Sequence, residues 1–173
     1  MRLIAFAMAV GLVGCVPEPP KTAPIPEPRE DGYIVRRFPE GAAWVRLSED
    51  VFANYWSIDC HKDIMSDQRN CVIKSWSGGP RIFFEKQNIR SICVTGHDYP
   101  GRIALIRFGA DQPVQTNVVG CTNSAKVINK ITSDEVIYTR HVRWPYDRNV
   151  DKTIRLDGLA KAVSVAKELS QLP

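Results

Sequence analysis

Four of the five cysteines, Cys60, Cys71, Cys93 and Cys121, crowd into the middle of a 173-residue chain, while Cys15 stands apart. An even set of cysteines in one small domain is either a disulfide framework or a metal site, and the choice rests on the redox compartment the chain enters. The N-terminus indicates export. Arg2 supplies a positive start, and residues 3–14 form an uncharged, mostly apolar stretch, too short for a permanent span and suited to the core of a secretory signal. Exported cysteines oxidise, so two disulfides are expected. Zinc sites pair cysteines about two to four residues apart, whereas the closest pair here, Cys60 and Cys71, is eleven positions apart. Of the three possible connectivities, Cys60–Cys71 with Cys93–Cys121 is favoured, because the first pair brackets the polar segment 61–70 and would clamp neighbouring strands.

The leader ends in Leu12-Val13-Gly14-Cys15. These residues resemble the lipobox of bacterial lipoproteins, which implies cleavage before Cys15 and diacylation of its thiol. Two acyl chains make a lipid anchor effectively permanent. Val16, rather than an aspartate, follows the cysteine, and by the sorting rule of such proteins this favours the bacterial outer membrane. The expected organisation is a signal peptide over residues 1–14, a lipidated Cys15 with a tether to residue 31, and one domain over residues 32–173. The tether, VPEPPKTAPIPEPRED, holds six of the twelve prolines. Proline fixes φ and removes an amide donor, so the segment reads as polyproline II, with a reach of roughly 50 Å at about 3.1 Å per residue.

The rest of the chain reads as short apolar runs divided by turn chemistry, which favours strands. Expected strands are 42–47, 55–60, 71–76, 81–86, 91–95, 102–108, 116–121, 135–144 and 153–156. Within 135–144, Val136, Tyr138, Val142 and Trp144 share one phase and Ile137, Thr139, His141 and Arg143 the other. That alternation suits a sheet with one wet face, with Arg140 as the odd member of the apolar set, placed at a rim or paired with an acid. Leu159, Ala162, Val163, Ala166 and Leu169 recur at helical spacing behind Asp157, a suitable N-cap. A short helical turn is expected around 124–131. The fold class is therefore mainly β, a disulfide-stapled β-sandwich-like domain with a C-terminal amphipathic helix.

Catalytic chemistry is sparse. His61, His97 and His141 sit in no metal-binding motif. Asp63 and Asp67 beside His61 fit Asx-turns in a hairpin loop better than a cation site. His97-Asp98 lies in a turn rich in glycine and proline, and no nucleophile elbow accompanies it. Glu85, Asp98, Asp111 and Glu135 are the carboxylates open to a peptidoglycan-cleaving pair. No cofactor motif is present, and the expectation is a non-enzymatic protein with no cofactor and no metal.

Charge is more informative. Residues 102–173 carry eleven basic and seven acidic side chains. Arg140, Arg143, Arg148 and Arg155 interleave there with Trp144 and Tyr146, a composition suited to an anionic glycan or an acidic envelope protein. With the chain anchored to a bilayer through Cys15, nucleic acid is not an expected partner.

Trp56 four residues before Cys60, then Cys71, then Arg107-Phe108-Gly109-Ala110-Asp111-Gln112-Pro113 leading to Gly120-Cys121, and the closing Ile154-Arg155-Leu156-Asp157-Gly158-Leu159-Ala160-Lys161-Ala162 form a pattern. Together they resemble the invasion-associated locus B family of alphaproteobacterial envelope proteins. The lipobox and the proline-rich tether depart from it. The resemblance implies a small exported β-sandwich without catalytic residues, acting in adhesion, invasion or envelope integrity. An accessory lipoprotein of a secretion complex and a peptidoglycan hydrolase using His97 or Asp98 are the alternatives.

Overall fold

The computed structural model describes residues 29–47 and 55–172; Cys15 and the proline-rich residues 16–28 lie outside the described residues. The chain builds two antiparallel sheets over one core. The larger has the order β1-β2-β3-β4-β5-β6-β7-β10. Its strands are β1 Arg29–Glu30, β2 Tyr33–Arg37, β3 Ala42–Arg46, β4 Tyr55–Lys62, β5 Arg69–Ser75, β6 Arg81–Glu85, β7 Asn88–Cys93 and β10 Cys121–Thr122. The smaller sheet, β12-β11-β8-β9, consists of β8 Leu105–Phe108, β9 Val114–Gln115, β11 Val136–Arg143 and β12 Tyr146–Arg155. Helix α1 is Ala125–Lys130 and helix α2 is Leu159–Ser170.

Strand period two aligns the core into rows. Ala43, Ile58, Ile73, Ile82 and Ile92 sit side by side across five strands, all fully buried. Val35, Val45 and Trp56 form the next row. Against these pack Ile106, Phe108, Ile137 and Ile154 of the smaller sheet. Helix α2 closes the inner face over β3, β4 and β5, burying Leu159, Ala162, Val163, Val165, Ala166 and Leu169. The expected apolar stripe is thus the buried one, with Val165 added. Its N-cap is Gly158, not Asp157, and no side chain caps it. Gly158 has φ of +78°, and a Cβ there would meet the Tyr33 ring at 3.2 Å. The Asp157 carbonyl instead accepts the Trp56 indole N–H at 2.8 Å, which joins β4 to the entry of α2.

Both disulfides form as the spacing favoured. Cys60 and Cys71 face each other across β4 and β5, and Cys93 and Cys121 across β7 and β10, each with 4.0 Å between Cα atoms. The expected strand 116–121 is largely a turn. The Asn117 carboxamide oxygen accepts the amides of Val119 and Cys121, and only Cys121–Thr122 reaches the sheet. The first half of β12, Tyr-Asp-Arg-Asn-Val, has little strand propensity and was not expected as a strand. Its pairing with β11 holds it extended, reinforced by Arg140 donating twice to Asp151 at 2.6 and 2.7 Å. Tyr33–Arg37, likewise unexpected, is the second strand.

Sheet structure begins earlier than residue 32. Glu30 accepts from Arg37 at 2.8 Å and from Lys161 at 2.9 Å, and Arg37 also donates to Glu168. These ion pairs draw the last tether residues into the sheet and fasten them to α2.

Two outcomes follow. Replacing Cys93 and Cys121 with alanine should lower stability by about 3 kcal/mol through the freed 28-residue loop. Amide exchange should then accelerate first at Cys121–Thr122, since two ladder residues cannot hold an edge strand unaided; urea melts and hydrogen exchange measure both. The hydrogen bonds from Arg37 and then Lys161 hold the Glu30 carboxyl at about 2 against an ordinary 4.5. The unfolded chain therefore takes up this proton first, so the contribution is complete above pH 4.5 and is lost as pH falls toward 2. Solvent screening keeps it under about 1 kcal/mol, and Glu30→Gln should flatten that part of the acid melting profile.

Candidate functional site

The hairpin of β11 and β12 carries most of the sequence-proposed surface, and its phase is the reverse of the expected one. Ile137, Thr139 and His141 point inward, while Tyr138 and Arg140 face solvent. The partner strand explains this: Ile137 lies beside Phe108 and Thr139 beside Ile106, both core residues. Outside, Tyr138 supports the Arg107 guanidinium at 4.8 Å. A register shift between Val142 and Arg143 then turns Val142 inward and leaves Trp144 56% exposed. A place for Trp144 in the core is ruled out.

The structure divides the six proposed binding residues. Arg140 is committed to Asp151 on the outer face of the small sheet, as its odd place in the pattern suggested. It borders a shallow hollow of about 250 Å³ lined also by Leu105, Arg107, Tyr138 and Thr153. Arg155 is paired with Asp157 at 2.7 Å and lies opposite Val136, at the far end of the strand. Arg143, Trp144, Tyr146 and Arg148 gather at the hairpin tip, where the Trp144–Pro145 peptide is cis.

The tip meets the 96–102 loop, which contains the glycine- and proline-rich turn around His97-Asp98. Trp144 donates its backbone N–H to Asp98 at 2.7 Å, Arg102 pairs with Asp147 at 2.6 Å, and the Tyr99 and Trp144 rings meet edge to face at 5.2 Å. The result is a braced projection with Trp144 and Tyr146 exposed and Arg148 5.8 Å from the Tyr146 ring. Among the described residues Arg143 and Arg148 have no acidic partner; Asp98 and Asp147 are engaged within the brace. Tyr99 and Arg102 had no signal of their own in the sequence, and Asp98 stood out only as a candidate acid, since the brace exists only once the loop and the hairpin touch.

Below the tip lie two histidines. His141 is 3% exposed, and a Cβ on Gly96 would fall 3.1 Å from its Nε2. His97 shares a hydrogen bond between Nε2 and the Arg102 carbonyl at 3.1 Å. His97 and Asp98 therefore serve different partners. The other carboxylates considered for hydrolysis are also dispersed in their roles: Asp111 binds Lys130 and Lys126, and Glu85 binds Arg90. Asp63 forms the expected Asx-turn, accepting from the amides of Met65 and Ser66. Among the described residues no group of three His, Cys, Asp or Glu is placed to hold a metal, and no helix is long and apolar enough to cross a membrane.

Compared with known proteins, the chain matches no family model, no curated protein and no solved structure.

Burial, then the charges of Lys152 and His97, push the His141 imidazole below its ordinary 6.5, with Arg143 acting the same way and Asp98 against it. The folded state thus keeps His141 neutral where the unfolded chain is already protonated, so stability declines as pH falls below about 6.5. NMR titration should show His141 titrating at lower pH than an unstructured histidine, and a shift in the opposite direction would contradict this packing.

Proposed function

We propose that the protein is a non-enzymatic envelope lipoprotein that docks an acidic partner protein on the braced hairpin tip. Acylated Cys15 anchors it in the outer membrane, the proline-rich segment spaces it from the bilayer, and the disulfide-stapled domain makes the contact. The observation that supports this reading is the tip itself. Trp, Tyr and Arg are the side chains that dominate protein interface energetics, and here Trp144, Tyr146, Arg143 and Arg148 share one projection whose two arginines have no acidic partner among the described residues. Bracing by Asp98 and Arg102 lowers the entropy lost on binding. The resemblance to invasion-associated locus B proteins agrees with such a role in adhesion, invasion or envelope integrity.

The experiment is photocrosslinking in intact cells from a reactive residue at position 146. It should capture one discrete protein in the outer-membrane fraction, and joint Arg143→Glu and Arg148→Glu substitution should reduce capture by about tenfold or more. Cys15→Ser should release the protein from the membrane fraction. Capture that is unaffected by the charge reversal removes the tip from the reading.

A further inference from the structure

The outer face of the large sheet carries a second surface, unrelated to the hairpin tip. Since Ala43 and Val45 on β3 and Trp56 and Ile58 on β4 point into the core, Trp44, Arg46, Tyr55, Ser57 and Asp59 must point out. Helix α2 covers the opposite side of these strands. On this face four aromatic rings form a diagonal ladder: Phe38 just after β2, Trp44 on β3, Tyr55 on β4 and Trp76 just after β5. Successive centroids are 5.2, 5.8 and 5.6 Å apart. The rings turn progressively from edge-to-face at Phe38–Trp44 to near-parallel stacking at Tyr55–Trp76. Trp76 ends the row at 70% exposure and Trp44 is 38% exposed. Core-type packing does not explain two tryptophans left in water.

The charge beside the ladder is one-sided. Arg36 stands opposite Trp44, and Arg46 stands opposite Tyr55. Neither has an ion-pair partner among the described residues, and the Nε donor of each is shielded from solvent without an acceptor. Asp59, the acid on the same face of β4, is neutralised by Lys74 at 2.9 Å. A row of aromatic rings flanked by charged side chains matches an amphipathic ligand better than a wholly apolar one. A polysaccharide has that character: its sugar rings offer apolar C–H faces, rimmed by hydroxyls, in a repeat comparable to the ring spacing. The unpaired arginines select acidic sugars, because a guanidinium meets a carboxylate with two parallel hydrogen bonds.

We propose that the outer face of the large sheet binds an extended anionic polysaccharide, with Trp76 and Trp44 stacking on sugar rings and Arg36 and Arg46 holding their acidic groups. This site is separate from the tip and does not depend on it. Trp76 presents the open ring face that an incoming sugar needs, and Trp44, between the two arginines, sets the position of the charged unit. The salt dependence of such a contact follows from the charge of the two half-buried arginines.

Titrating the full-length protein with polygalacturonate, followed by tryptophan fluorescence and calorimetry, tests the site. Saturable binding is expected, weakened by added salt, with a neutral dextran at least about tenfold weaker. Trp76→Ala and Trp44→Ala should each weaken binding by about tenfold, and Trp76→Phe should restore most of the loss. Arg36→Gln with Arg46→Gln should weaken it similarly and flatten the salt dependence. Circular dichroism and thermal melting of each variant separate loss of the site from loss of the fold. Trp144→Ala, which alters the tip, should leave polygalacturonate binding unchanged. No binding of polygalacturonate, equal binding of dextran, retained affinity in folded Trp76→Ala, or occupation of the ladder by an acidic proline-rich peptide alone would each overturn the proposal.

Discussion

The indole of Trp56 is the joint on which the architecture turns. It is 1% exposed in the second row of the large sheet, and its N–H reaches the Asp157 carbonyl at 2.8 Å. A buried indole donor left unpaired costs on the order of 1–3 kcal/mol, so the carbonyl at the mouth of α2 must stay where Trp56 needs it. Gly158 then has to turn with positive φ, and a Cβ there would press within 3.2 Å of the Tyr33 ring. From this point α2 runs across β3, β4 and β5 and shuts the inner face. The Glu30–Lys161 and Arg37–Glu168 pairs fasten the helix to the opening strands. First and last segments of the domain are thereby tied to its centre.

Closing the inner face determines what is left for binding. Every strand of the large sheet that α2 covers must turn its alternate residues outward, which puts Trp44 and Tyr55 on one open surface. The small sheet obeys the same rule, and its long hairpin extends beyond the core because the ten-residue β12 pairs along all eight residues of β11. The two exposed surfaces therefore differ in kind. One is a rigid sheet face with rings in register; the other is a projection braced by a neighbouring loop.

Much of the scaffold was legible because its causes are local. The strands around Ile58, Ile73 and Ile82 and the stripe of α2 announce themselves by periodicity. The disulfide pairs follow from the even cysteine set and its spacing. Where local pattern and fold diverge, the cause is a distant partner. Composition favours the other phase of β11, since Val136, Tyr138 and Val142 outnumber Ile137 as apolar residues, yet the register with Ile106 and Phe108 decides which side faces the core. The first half of β12 and the short β10 owe their structure to a partner strand and to a disulfide, not to their own composition. Asp157 looked like a cap, but its carboxylate is taken by Arg155 and the N-cap position falls on Gly158.

By itself the sequence determined the class of the molecule: an apolar N-terminal stretch running to Cys15, a proline-rich segment, and a cysteine-stapled, mainly β domain closed by a helix. These follow from periods of two and 3.6, from proline stereochemistry and from thiol oxidation, all readable over a few residues. Tertiary structure alone decided which aromatic and basic groups share a surface. Arg140 and Arg155 were withdrawn into ion pairs, Trp144 and Tyr146 were joined to the 96–102 loop, and Trp44, Tyr55 and Trp76 were aligned from three strands. Such neighbours are set by strand register and sheet order, which depend on pairings across the whole domain and leave no mark at any single position in the chain.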